Sequence, residues 1–206
     1  MNTRTCSSNL GLLRRLLCGC MGIKALYLER HAPKKQSRIR RTIVRDLLRM
    51  FVYFSLGLME PQDLLRFLRE HRLAAEASVS SSSGAQAAAV GFAVSDDFEI
   101  IFDTLDSTRK VANIRHNPKI AFVVGGFTMG DERTAQYEGV ADEPAGADLE
   151  RLAEVYYRVY PDGRARRSWP GLIYVRVRPT WIRYSDYSVD PPQIVEFTAD
   201  ELLGKA

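Results

Sequence analysis

Hydrophobic and polar positions settle into regular patterns only after Met59. In EPQDLLRFLREHRLA, Leu64, Leu65, Phe67 and Leu68 recur within two turns behind Pro61, which predicts an opening amphipathic helix of roughly three turns with proline near its start. AEASVSSSSGAQAAAVGFAV then reads as two strands of small residues around the turn SSSG, the serine run being the tip of a flexible hairpin. The turn SDD, residues 95–97, leads into FEIIFDT, a strand of β-branched and aromatic residues. IAFVVGGF and RTAQYEGVAD continue as strands joined by TMGDE. ADLERLAEVYYRVYP places Leu149, Leu152, Ala153, Tyr156 and Val159 at helical spacing and stops at Pro161. Finally GLIYVRVRPTWIRY alternates with period two, giving one or two strands with one buried face. Six or seven strands joined mostly by hairpins, with a few short helices, predict a mainly β (α+β) fold: a closed or half-closed antiparallel barrel rather than a parallel sheet.

Charge changes this picture by dividing the chain. The net charge of +4 over 206 residues hides twelve Lys and Arg against two acids in residues 1–58, while the rest carries more acids than bases. We therefore expect a basic N-terminal extension, residues 1–58, followed by one folded domain, residues 59–206. Three readings of the extension stay open: a mobile or non-native segment, with Met50 or Met59 as the real start; a basic amphipathic helix in RRTIVRDLLRMFVYF that contacts a membrane surface; or non-specific nucleic-acid attraction. No aromatic-interleaved basic motif accompanies the charge, so no specific nucleic-acid partner is expected.

All three cysteines, Cys6, Cys18 and Cys20, sit in that extension, so the domain carries no disulfide framework and no thiolate metal site. The Leu-rich start is broken by Arg14 and Arg15, unlike a secretory signal, and MFVYFSLGLM at 50–59 is too short to span a bilayer. A reducing, cytoplasmic setting follows as the expectation.

The chemistry concentrates in IIFDTLDSTRKVANIRHNPKIAFVV. Asp106 or Ser107 is suited to cap the helix STRKVANIRH, which Asn117-Pro118 ends. Arg109 and Lys110 fall in its first turn, where the helix dipole disfavours cations unless an anion is present. A phosphate docked there would accept bonds from backbone N–H groups, from Ser107 or Thr108 and from both cations. The plainer alternative leaves the two cations solvated or paired with Asp103 or Asp106. His116 reads as a partner for the negative helix end. No Ser-His-Asp spacing and no carboxylate pair stands out as a catalytic group.

These residues also carry a resemblance. FDTLDSTRKVANIRHNPKIAFVV followed by TAQYEGVAD resembles the pyridoxamine 5′-phosphate oxidase-like superfamily of flavin-binding split barrels, over roughly residues 62–184. The resemblance implies a homodimer with two sites at the subunit interface, each holding flavin mononucleotide (FMN) or a related cofactor, and a small-molecule substrate. It implies Thr104 beside the cofactor, Thr108, Arg109 and Lys110 around its phosphate, with Ser107 as the further donor read above, Thr134 where the vitamin-forming oxidases place a flavin-contacting Gln, and Arg176 near the substrate. The chain departs from those oxidases in two places. AQAAAVGFAV lacks the Arg and Lys that they carry on this strand, and their C-terminal substrate motif is missing. An FMN-dependent oxidoreductase that does not form pyridoxal phosphate is therefore expected, with a deazaflavin-dependent reductase or a non-catalytic flavin- or haem-binding protein as alternatives.

Overall fold

Proline at the first turn and a reciprocal pair of bonds between Glu60 and Asp63 start helix α1, Pro61–Glu70, which buries Leu64, Leu65, Phe67 and Leu68 on one face. Each of those side chains removed from water contributes on the order of 2 kcal/mol. This is the expected opening helix, found in a computed structural model whose described residues are 59–204. The readings made for residues 1–58, including the helix in RRTIVRDLLRMFVYF and all three cysteines, lie outside the described residues.

After α1 come β1 (Leu73–Val79), β2 (Ala85–Gly91), β3 (Ala93–Val94), β4 (Ile100–Leu105), helix α2 (Arg109–His116), β5 (Lys119–Gly125) and β6 (Arg133–Asp142). Helices α3 (Gly146–Val159) and α4 (Gly163–Arg166), strands β7 (Leu172–Asp186) and β8 (Gln193–Thr198), and helix α5 (Ala199–Leu202) complete the domain. All strand pairs are antiparallel, in the order β2-β1-β5-β6-β7-β4-β3, with β8 on β7. β2 and β3 stand at the two ends of that order, yet only the fully buried Phe92 separates them in sequence. Residues 85–94 are thus one bent strand that supplies both edges, and the sheet curls into a split barrel.

Eight strands replace the six or seven expected. β3 is the two-residue continuation of β2, and β8 follows Pro191-Pro192 in a stretch whose alternation is too short to announce itself. β7 is one strand rather than two. Pro179 fits within it because β6 shifts register between Glu138 and Gly139, and Gly139 faces the proline closely enough that a Cβ there would lie 2.5 Å from the Arg178 carbonyl oxygen. β7 pairs with β6 from Arg176 to Asp186, with β4 over its first residues, Leu172 to Val177, and with β8 over its last, Trp181 to Asp186, so the barrel splits where β4 gives way to β8.

The interior packs Phe92, Phe98, Phe102, Phe122, Tyr137 and Ile182 with the buried face of α1. Tyr137 meets Phe122 edge to face, and its hydroxyl lies 3.0 Å from the Phe98 carbonyl and 2.9 Å from that of Val177. On the opposite face of β4 and β7, Ile101 and Tyr174 pack under α3 with Leu152, Tyr156 and Tyr157. α3 is also held by charge. Arg176 of β7 donates to Asp142 at 2.8 and 2.6 Å and to Asp148 at 3.0 Å, and lies 3.6 Å from Glu99, which Arg151 of α3 reaches at 2.8 Å. The Arg176 hydrogen bond holds the Asp142 carboxyl below its ordinary range. Among the described residues no helix is long and apolar enough to cross a membrane.

Two outcomes follow for stability. Tyr137→Phe removes the one hydroxyl hydrogen that two buried carbonyl groups share and should lower the unfolding free energy by about 1–3 kcal/mol in urea titrations. Arg176→Met takes away the guanidinium that Glu99, Asp142 and Asp148 share and should cost about 2 kcal/mol, since Arg151 still reaches Glu99 and Arg178 still reaches Asp142. The part of that loss due to Asp142 should shrink as pH falls through its depressed pKa, because its ion pair stabilises only the ionised form.

Candidate functional site

β4 ends in Asp103, Thr104 and Leu105, and the loop beyond it is pinned at both sides. The Asp106 N–H donates to the Gly171 carbonyl at 2.8 Å, and the Thr108 N–H donates to the Leu105 carbonyl at 3.1 Å. Gly171 has φ of +74°, and a Cβ there would sit 2.9 Å from Asp106 Oδ1, so the approach of the two loops requires glycine. That tie carries the chain past Asp106 and Ser107 before helical geometry begins. The N-cap is therefore Thr108, a correction to the expectation that Asp106 or Ser107 would cap.

Thr108 makes no side-chain capping bond. Its hydroxyl instead lies 3.3 Å from that of Thr104. The first turn of α2 holds no acid, and among the described residues no side chain accepts from its N–H groups at the positive dipole end. Arg109 is exposed and Lys110 half-buried, and neither forms an ion pair with a described residue. The Asp103 carboxylate is already engaged by the Tyr156 hydroxyl at 2.6 Å and by Arg166 at 3.1 Å. Pairing with Asp103 is thereby set aside for Arg109 and Lys110.

Between α2 and the β1–β2 hairpin lies an open cleft of about 400 Å3, lined by Ser80, Ser82, Gly84, Gln86, Arg109 and Asn113. Asn113 is buried and donates through Nδ2 to Ser78 Oγ at 3.1 Å and to Gln86 Oε1 at 3.0 Å. Because its oxygen is occupied, Gln86 is left with its NH2 group to offer as a donor. Below Ser78 on the same face of β1 sits Glu76, 1% exposed, with Oε1 lacking a partner. Burial pushes its carboxyl upward, opposed by the Ser78 hydroxyl and the Lys110 charge.

The predicted site residues divide accordingly. Thr104, Ser107, Thr108, Arg109 and Lys110 are contiguous about the start of α2. Thr134 pairs with Gly125 at the far end of β5, about 20 Å of strand from α2. Arg176 faces the carboxylates that hold α3. The hairpin serines, read from sequence as a plain turn, form one wall of the cleft. Glu76, Gln86 and Asn113 were not singled out. Their signal was a lone carboxylate and a lone amide at inward positions of two alanine-rich strands, and a helix Asn one turn after Arg109.

Solved structures share the fold at low identity. A heme binding protein from Mycobacterium smegmatis superposes with a TM-score of 0.61 at 12% identity, over 71% of this chain and 61% of its own. A conserved hypothetical protein from Mycobacterium tuberculosis gives 0.54 at 22% identity, over 63% and 86%. A heme storage protein from Vibrio cholerae gives 0.50 at 11% identity, over 59% and 91%. The chain thus spans about three fifths of the Mycobacterium smegmatis protein. No curated protein matches it. The family model described as pyridoxamine 5′-phosphate oxidase matches residues 61–201, which is the whole of the barrel from the start of α1 to α5. By that match the chain belongs to the pyridoxamine 5′-phosphate oxidase family.

Proposed function

We propose that the chain is a homodimeric, cytoplasmic oxidoreductase that holds FMN with its phosphate in the cleft at the start of α2 and acts on a small-molecule substrate. The observation that carries this reading is the uncapped N-terminus of α2, flanked by Arg109 and Lys110, neither of which is paired with a carboxylate among the described residues. An anion there completes the free N–H groups and offsets both cations. Gln86 and the hairpin serines line the cleft and add neutral donors, while Ser107 and Thr108 stand just before α2, with the Thr104 hydroxyl 3.3 Å from that of Thr108. Bound there, a flavin supplies hydride or electron transfer, while the protein supplies position and electrostatics.

The dimer reading is supported by the outer face of β1, β2 and β5. Leu73, Ala75, Ala77 and Val79 lie opposite Gly91, Ala89, Ala87 and Ala85, with Ala121 and Val123 continuing the surface on β5. Leu73 is 59% exposed and Val79, Val123 and most of the alanines are exposed with it, giving a sheet face whose one charged residue is Lys119, at the start of β5. Such a face suits a second copy of the same chain. Thr134 and Arg176, remote from α2, are assigned to the partner's side of the site and to the holding of α3 respectively.

A second reading, haem binding without turnover, is favoured by the heme binding protein of Mycobacterium smegmatis and the heme storage protein of Vibrio cholerae that share the fold. A Soret band that disappears on replacing His71 or His116 would support it. Retention of a deazaflavin with no flavin uptake would favour a deazaflavin-dependent reductase of the same fold.

FMN fluorescence titration should show Arg109→Ala with Lys110→Ala weakening binding by about 3 kcal/mol, roughly a hundredfold, and equal affinity would overturn the phosphate assignment. Sedimentation should find wild type dimeric and Ala87→Glu, which puts a charge in the middle of the apolar face, monomeric but folded.

A further inference from the structure

The cleft is backed by a buried carboxyl that the phosphate reading does not use. Glu76 is 1% exposed and one of its oxygens has no partner, although it sits on a strand whose other inward residues are Ala74 and Ser78. It is linked to the cleft by a directed chain of hydrogen bonds. Asn113 gives its two amide hydrogens to Gln86 and Ser78, so the Ser78 hydroxyl, already accepting, is free to give its own hydrogen to Glu76.

The charged groups that face Glu76 are few. α2 contributes Lys110, whose charge favours the ionised carboxyl, with Arg109 beside it at the cleft. β2 holds no charged residue, and β5 only Lys119 at its exposed start. Ionised Glu76 therefore depends on the Ser78 hydroxyl and, after it, on Lys110 against the cost of burial. An anion at the start of α2 draws on the same Lys110 charge and adds a negative charge of its own nearby. Both changes favour the neutral carboxyl.

We propose that Glu76 is the proton partner of the cleft: an anion that docks at the start of α2 is taken up together with a proton, which resides on the Glu76 carboxyl. The proton comes from solvent and no bond other than O–H forms or breaks. Anion affinity then falls as pH rises, since the bound state holds more protons than the free one. The inference rests on the cleft being an anion site, and adds that the site discriminates by pH through a residue that does not touch the ligand.

Sulfate is a suitable probe because its charge does not change between about pH 5 and about pH 8, whereas FMN's phosphate titrates within that range. With the full chain, the sulfate dissociation constant is read from the sulfate dependence of Tm at each pH, and proton uptake from calorimetry in two buffers of different ionisation enthalpy. The expected result is a constant that rises with pH by up to about tenfold per unit, with proton uptake, in wild type and in His116→Asn. In Glu76→Gln the constant should be flat with pH and proton uptake absent. A flat profile without uptake in wild type, the same slope in Glu76→Gln, or loss of the slope in His116→Asn overturns the proton link while leaving the anion site standing. Should Glu76→Gln not fold, Lys110→Gln serves in its place: removing the ammonium should diminish the uptake, and undiminished uptake overturns the proposal. If sulfate fails to bind wild type at every pH, the anion site and the proton link fall together.

Discussion

The domain depends on a single strand serving two edges. Open sheet edges present rows of unpaired N–H and C=O groups, and a sheet of this size relieves them by curling. Residues 85–94 supply β2 at one end of the strand order and β3 at the other, turning between them at a phenylalanine with no exposure to water. That turn decides which side of every other strand is inside. Ala74, Glu76 and Ser78 face inward on β1, as do Ile120, Phe122 and Val124 on β5; α1 packs in one cluster with the apolar members, and α2 meets Ser78.

The position of the cleft follows from the same closure. β4 ends beside β7, whereas β5 begins beside β1 and β6, so the chain must cross between strands that are not neighbours. α2 makes that crossing and buries Val111, Asn113 and Ile114. Its N-terminus is left facing the β1–β2 hairpin because its C-terminus must deliver Lys119 to β5. An amide and a hydroxyl at inward positions then meet Asn113 without any loop being built for the purpose.

Most of this was legible in the sequence where periodicity was long. The faces of α1 and α3 and the alternation in β7 fix their buried sides through repetition alone, and the Ser/Thr-Arg-Lys run marked the helix start against the rule for dipoles. What escaped has physical reasons. β3 cannot be read as an edge without knowing that the sheet closes. β8 owes its pairing to the half of β7 that β4 leaves free. Thr108 takes the N-cap position in place of Asp106 or Ser107 because of a backbone bond to Gly171, sixty-five residues from Asp106 along the chain. Arg176 carried no sign in its own segment that three carboxylates from other elements converge on it. Glu76 was visible as an oddity in an alanine-rich strand, but its burial depends on α2 lying above it.

The alanine face on β1, β2 and β5 has a consequence for how an assembly through it would form. Methyl side chains have no rotamers to lose, so ordering them at an interface costs no side-chain entropy, and the contact area is rigid before it is covered. Affinity between two such faces would then be governed by how flat each stays. The twist of the underlying strands, set by the closure at Phe92, would be what a partner surface has to match.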